Sequence, residues 1–340
     1  PLVFTDLSHV FAFQTANEHF WASLLGACSF ALRMTTLKSN ELNGFVTNNF
    51  IPKLPVKLSH LSEAEKLLEK GDFQTSYDME NMYFQLGIHK DFWKYMGCEI
   101  ESPGGEKVYF VFKVLIYGLK PAVHVVTKLT KPLLRKAALM GIRSSIFIDD
   151  GRILAKSVQE GVENFKKVTS IIQQAGWSIN WTKTIDTPSQ SLYHQGLITC
   201  TNPLMYILPD FKIAKLNQLL EEVLMSYSNS ESITCKHLAK VIGSVVSCRK
   251  ALGPLSSVLL RSIQWILAKE TDNFQDWTKT IKLTEQAAIE LDLLNSSLHQ
   301  LNGQPILLSQ SGVNFNEFMN NLGNIAVSYT HLTLPTTPYV

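Results

Sequence analysis

Phe147-Ile148-Asp149-Asp150-Gly151-Arg152-Ile153 sets two adjacent carboxylates between two apolar, strand-like runs, residues 145–148 and 153–155. Gly151 offers turn chemistry, so the stretch predicts a tight β-hairpin with Asp149 and Asp150 at its tip. Successive side chains on a strand point to opposite faces, and near a tip both acids can reach one solvent-filled cleft. Such a pair is costly unless it is solvated, paired or bound to metal. A plain solvated turn fits the same residues, because Asp-Gly is common turn chemistry. The partners supplied by the rest of the chain decide between these readings.

Working outward, Phe73 to Tyr77 reads as a strand that runs into Asp78. Residues 98–100 and 108–112 predict a hairpin around Ser102-Pro103-Gly104-Gly105. Residues 120–140 predict a helix opened by Pro121 and ended by Gly141, with Pro132 kinking or breaking it. After the acid pair, Ser157 and Glu160 form a capping box for a helix. Val162, Phe165, Val168, Ile171 and Ile172 recur at helical spacing along it, and Gly176 ends it. Short strands are expected at residues 177–180 and 192–199. The order strand, helix, hairpin, helix, strand predicts an α+β sandwich with its helices on one face of a small antiparallel sheet.

The flanks read differently. Upstream, Ser62 and Glu65 predict a capping box for a short helix that stops at Gly71. Beyond Pro209, residues 211–227, 234–248 and 254–269 have helical period; Thr234 caps the second and Gly253-Pro254 separates it from the third. Residues 276–301 predict one more helix. Residues 303–340 are polar and irregular, and residues 327–340 change composition so abruptly that they read as a cloning-derived tail. A chain that begins at Pro1 reads as a piece of a longer protein.

Composition sets the bounds. The 340 residues, 45% hydrophobic and 18% charged, are those of a globular chain with two or three packed units. A formal charge of +2 does not demand a nucleic-acid partner, though it leaves room for a local basic patch. Cys28, Cys98, Cys200, Cys235 and Cys248 are scattered without a Cys-x-x-Cys pair, which predicts free thiols, no zinc site and an intracellular, reducing setting. No signal peptide or membrane span is read, so no membrane partner is expected.

A two-metal site needs carboxylates from separate strands converging on ions about 3.5–4 Å apart. Asp78, at the end of its own strand, is the natural partner for Asp149 and Asp150. The lone histidines His89 and His124 lack metal-ligand spacing and read as structural or surface residues. Trp177 and Trp181 read as core.

These residues fall into a pattern that resembles the reverse transcriptases of retroelements, most closely those of the tyrosine-recombinase (DIRS-like) retrotransposons. Tyr77-Asp78-Met79-Glu80-Asn81-Met82-Tyr83-Phe84 is similar to the first catalytic motif of that family. Leu115-Ile116-Tyr117-Gly118-Leu119-Lys120-Pro121-Ala122 resembles the second, and Phe147-Ile148-Asp149-Asp150 the third. Gly176-Trp177-Ser178-Ile179-Asn180-Trp181-Thr182-Lys183 resembles the fourth. Tyr193-His194-Gln195-Gly196-Leu197 is similar to the fifth, usually aromatic-Leu-Gly. Residues 237–243 and 252–254 look like the helical thumb of the group, and residues 302–306 like its link into a ribonuclease H domain.

The resemblance implies a right-hand polymerase. Residues 1–72 would be an N-terminal segment and fingers, 73–208 a palm with an antiparallel sheet and inserted fingers elements, and 209–270 a helical thumb. Residues 271–326 would be a connection and a truncated ribonuclease H-like start. The implied activity is RNA-directed DNA synthesis, with two Mg²⁺ or Mn²⁺ ions held by Asp78, Asp149, Asp150 and the Met79 carbonyl. Tyr83 would lie under the sugar, Lys183 would meet the triphosphate, and Arg33 or Lys38 would reach it from the fingers. Gly118, Leu119 and Gly196 would meet template and primer. The implied partners are an RNA template, a DNA primer and dNTPs, with an element-encoded recombinase and ribonuclease H as further candidates. Spacing alone does not separate Tyr83 from an ordinary core aromatic or Lys183 from a solvated loop lysine, and for Arg33 and Lys38 plain surface charge is the better reading.

The chain departs from the pattern in places. Val123 stands where Pro is common, Gln195 replaces the usual Leu, and Leu37-Lys38-Ser39-Asn40 lacks the usual fingers Asp. Ser309-Gln310-Ser311-Gly312 lacks the first ribonuclease H carboxylate, so no ribonuclease H activity is expected. The alternative to an active polymerase is a decayed retroelement remnant that only binds nucleic acid. A nucleotide cyclase would not carry the helices after Pro209.

Overall fold

The computed structural model describes residues 48–52, 54–56, 61–101, 107–271 and 276–307. A short helix α1 (Leu61–Glu65) precedes strand β1 (Phe73–Asp78). It already includes Leu61, so Ser62 lies inside the helix rather than capping it. β1 pairs antiparallel with β5 (Asp150–Ala155) on one side and β6 (Ile185–Ser189) on the other, and β4 (Arg143–Phe147) closes the order β4-β5-β1-β6. The predicted hairpin between residues 98 and 112 forms as β2 (Gly97–Glu101) and β3 (Lys107–Val111); its turn lies outside the described residues.

Helices α2 (Ala122–Leu139) and α3 (Val158–Gln174) cover one face of the main sheet. α2 runs unbroken through Pro132, so the proline leaves the helix in one piece. α3 starts as expected, with the Ser157 hydroxyl accepting from the Glu160 N–H at 3.2 Å. Tyr77 and Ile153 point to this helical face and share a core with Phe165, Val168 and Ile172. Alternation therefore turns Gln74, Ser76 and Asp78 of β1, and Asp150, Arg152 and Leu154 of β5, to the other face.

That other face meets a second antiparallel sheet. β7 (Ser191–His194), β8 (Leu197–Thr201), β9 (Leu204–Ile207) and β12 (Gln304–Pro305) stand in the order β12-β9-β8-β7. Residues 192–199, read as one strand, are a hairpin, because Gln195 and Gly196 both adopt positive φ at its tip. Residues 177–180 make only a bridge between Ile179 and Met79, and the strand instead forms at β6. The sheets are tied by Gln74, whose Nε2 donates to the Thr199 carbonyl at 2.9 Å.

Past Pro209 the chain is helical: α4 (Asp210–Ser228), α5 (Cys235–Ser247), α6 (Arg249–Leu252), α7 (Leu255–Val258), α8 (Arg261–Glu270) and α9 (Glu285–Leu301). Thr234 caps α5 by accepting from the His237 N–H. The expected helix over 254–269 is split into α7 and α8, and the one over 276–301 begins only at Glu285. Upstream of it, β11 (Thr280–Ile281) pairs with β10 (Ile233–Thr234). These helices and the second sheet enclose a separate apolar core around Leu220, Leu238, Leu260 and Leu291. Cys200, Cys235 and Cys248 are free thiols. Among the described residues, no helix is long and apolar enough to cross a membrane.

Candidate active site

The turn between β4 and β5 consists of Ile148 and Asp149, flanked by the register pair Phe147 and Asp150. Ile148 takes φ 59, a left-handed conformation that a β-branched residue adopts only under local constraint. Gly151 is not part of the turn, contrary to the sequence expectation; it is buried within β5 opposite Tyr77. A Cβ at Gly151 would overlap the Tyr77 ring. The glycine thus serves close packing of two strands, and this packing sets Asp78 directly across from Asp150 in register. The Met79 N–H donates to the Asp149 carbonyl at 2.9 Å, bringing the turn against the end of β1. Asp78, Asp149 and Asp150 therefore meet at one end of the sheet.

The surrounding loop is held to the same end. The Asn180 N–H donates to the Asp78 carbonyl at 2.8 Å, and the Thr184 hydroxyl accepts from the Asp78 N–H at 3.3 Å. This sets the Lys183 Nζ 3.8 Å from Asp78 Oδ1, with the lysine side chain more than half exposed. Burial raises the Asp149 carboxyl above its ordinary value. Its own N–H opposes this, while the charges of Asp78 and Asp150 push it further up and Lys183 pulls it down. Lys183 thus offsets only part of what raises Asp149.

Tyr83 is buried in a 3₁₀ turn, Met82–Gln85, just beyond Asp78. Its ring meets Tyr117 edge-on at 4.6 Å. Burial first, then the charge of Asp149, pushes its phenol up to about 12. Gly118 takes φ 82, and Leu119 is buried beside it. Asn48 clamps this loop: its amide donates to the Gly118 carbonyl and accepts from the Lys120 N–H, both at 2.7 Å. Gly196 lies at the β7–β8 tip, against the Lys212 amine.

Some predicted residues are not brought together here. Arg33 and Lys38 lie outside the described residues, as do the ribonuclease H start and the tail. Trp177 is core, but Trp181 is 55% exposed, contrary to expectation. His89 is exposed, and His124 reaches the Pro55 carbonyl at 2.7 Å. Sequence reading missed His194, a buried side chain whose Nδ1 lies 3.1 Å from Asp150 Oδ1. It also missed the Asn48 clamp. Both contacts join residues far apart in sequence, and no local pattern announces them.

Among the described residues, no three His, Cys, Asp or Glu side chains stand close enough together to enclose an ion. The donor chemistry nonetheless fits a hard divalent cation. The donors are carboxylate oxygens from two paired strands and their turn, and the mutual repulsion that raises Asp149 is what a cation would relieve.

Residues 26–193 match the family model described as reverse transcriptase (RNA-dependent DNA polymerase). The solved structures agree on the fold. A foamy viral protease-reverse transcriptase in complex with double-stranded DNA superposes on 77% of this chain and 41% of its own, with TM-score 0.59 and 17% identity. A second foamy viral protease-reverse transcriptase bound to double-stranded DNA gives TM-score 0.56 at 18% identity, over 76% of this chain and 48% of its own. The same protein with an RNA/DNA hybrid gives TM-score 0.54 at 19% identity, over 74% of this chain and 31% of its own. The chain therefore spans less than half the length of these relatives. No curated protein matches the sequence. The fold is reverse-transcriptase-like, with the acid pair and Asp78 inside the matched segment.

Proposed function

We propose that this chain is the polymerase portion of a retrotransposon reverse transcriptase, of the DIRS-like group, extending a DNA primer on an RNA template. The observation that carries the reading is the register pair Asp78 and Asp150, with Asp149 in the adjoining turn. Residues 73–208 would serve as palm and 209–270 as thumb, with 271–307 leading into a connection. The foamy viral relatives hold double-stranded DNA or an RNA/DNA hybrid, which supports the same partners here.

Asp78, Asp149, Asp150 and the Met79 carbonyl would hold two Mg²⁺ or Mn²⁺ ions. When bound, the ions would lower the pKa of the primer hydroxyl and neutralise charge on the triphosphate. The protein's own groups do the positioning. Tyr83, braced edge-on by Tyr117, would lie under the deoxyribose and exclude a 2′-hydroxyl. Lys183 presents a mobile ammonium to the leaving pyrophosphate, where it can neutralise charge or give up a proton. Gly118 and Leu119 would support the template, and the Gly196 hairpin would meet the primer.

Primer extension with dNTPs on an RNA template tests the reading. The native chain should extend the primer in Mg²⁺ or Mn²⁺, and Asp149→Asn should not. Binding of primer–template by both chains without extension by either would overturn the polymerase reading in favour of a remnant that only binds nucleic acid.

A further inference from the structure

His194 is fully enclosed, its side chain 1% exposed, yet it touches the site through one polar contact, Nδ1 to Asp150 Oδ1 at 3.1 Å. As the side chains stand this contact is out of line for a hydrogen bond, and Nδ1 has no other hydrogen-bond partner. A buried ring N–H without a partner is costly, and the Asp150 carboxylate is the acceptor within reach. On the far side of the ring, the Gln195 amide nitrogen lies 3.4 Å from Nε2. An amide nitrogen can only donate, so Nε2 accepts and the proton is assigned to Nδ1, facing Asp150. Gln195 is held for this by the hairpin tip, where it takes φ 49 next to Gly196.

We propose that His194 is a positioning residue for Asp150. Gln195 fixes the His194 tautomer, and the Nδ1–H holds the carboxylate in one orientation. The Asp150 side chain is 36% exposed, and without this contact it would sample several rotamers. The contact also fastens the β7–β8 hairpin to the acidic turn, so the segment assigned to the primer and a carboxylate assigned to the metals keep a fixed relation. The effect on catalysis rests on the polymerase reading above; the contact itself does not.

Two measurements on the full chain separate these levels. In side-chain ¹⁵N spectra, with the His194 signals assigned by their loss in His194→Asn, the native chain should show a protonated Nδ1 and an unprotonated Nε2. Gln195→Leu should shift the ring towards the Nε2–H form. An Nε2–H tautomer in the native chain, or no change in Gln195→Leu, would sink the proposal. In steady-state extension, His194→Leu should lower kcat about tenfold while the KM for dNTP stays within about twofold, the mark of lost orientation rather than lost binding. His194→Asn, whose amide can still donate to Asp150, should recover most of that loss. Equal kcat in the native and Leu chains, or a loss in Asn as deep as in Leu, would also overturn it. A native chain that extends no primer would end the polymerase reading, while the spectra still decide whether His194 holds Asp150.

Discussion

At the start of β1, Asp72 is buried and held by Arg143 and Lys156; at its end, roughly 20 Å away at about 3.3 Å per residue, Asp78, Asp149 and Asp150 lie at one end of the sheet with Lys183. The Arg143 guanidinium grips Asp72 through both nitrogens, at 2.7 and 2.8 Å. Lys156 adds a contact at 3.0 Å and the Glu69 N–H another at 2.8 Å. Burial alone would raise this carboxyl, but the bonds from Arg143 and Lys156 outweigh it and hold it below the ordinary value. Asp149 is shifted the opposite way. The sheet thus closes one end with a satisfied ion cluster, while at the other end burial and neighbouring carboxylates raise Asp149. A buried acid that the protein neutralises, as Asp72, is structural; an acid raised by burial and by neighbouring carboxylates, as Asp149, is a candidate for a functional role.

The largest expected effect breaks the end that carries Asp149. Asp149→Asn should abolish extension by roughly a thousandfold, comparable to losing a central transition-state contact. The same substitution should raise the melting temperature, because the folded chain bears a cost to ionise this acid. A lower melting temperature would mean the turn is structural. The closed end should respond in the reverse sense. Arg143→Met should cost about 3 kcal/mol in urea unfolding, since it leaves a buried carboxylate under-paired. It should change extension by no more than the fraction of chain left folded.

Gly151→Ala tests the link between the ends. The added methyl would strike the Tyr77 ring, forcing β1 and β5 apart at a cost of about 2 kcal/mol. Extension should fall further than stability predicts, because Asp78 and Asp150 lose register.

The acid limb of stability carries the two signs separately. Asp72 has a lowered folded pKa, so its contribution is full above the unfolded carboxylate value of about 3.9 and is lost as pH falls through the folded value. Asp149 has a raised folded pKa, so its penalty grows as pH rises from about 3.9 through the folded value and is absent in acid. Urea midpoints followed through the acid range should show a shallower acid loss in Asp72→Asn, and a smaller penalty near neutrality in Asp149→Asn. The smallest effect on stability belongs to Lys183→Ala, within about 0.5 kcal/mol for so exposed an ion pair. Its extension rate should still fall, about tenfold or more if the ammonium assists the leaving pyrophosphate.

Much of this was legible because local rules and tertiary structure agree. Phe73–Asp78 alternates as a strand should, Ser157 and Thr234 cap the helices they precede, and the acid pair falls next to a turn. Residues 192–199 were misread because a polar Gln at the hairpin tip hides a turn inside an apolar run, and β6 was missed because Ile185–Ser189, with a proline at 188, carries little strand propensity. Pro132 was misread in the other sense, since the helix packed on the sheet tolerates it.

The sequence by itself determined which acids exist, that Asp78 ends a strand and that Asp149 and Asp150 adjoin a turn, because period and turn chemistry act over a few residues. Only the tertiary structure decided that Asp78 faces Asp150 in register, that Gly151 makes room for Tyr77, and that His194 and Asn48 reach the site. It also decided which end of the sheet is neutralised. These depend on contacts across tens of residues of chain, where burial and charge are set by what the fold brings near, and no local pattern encodes them.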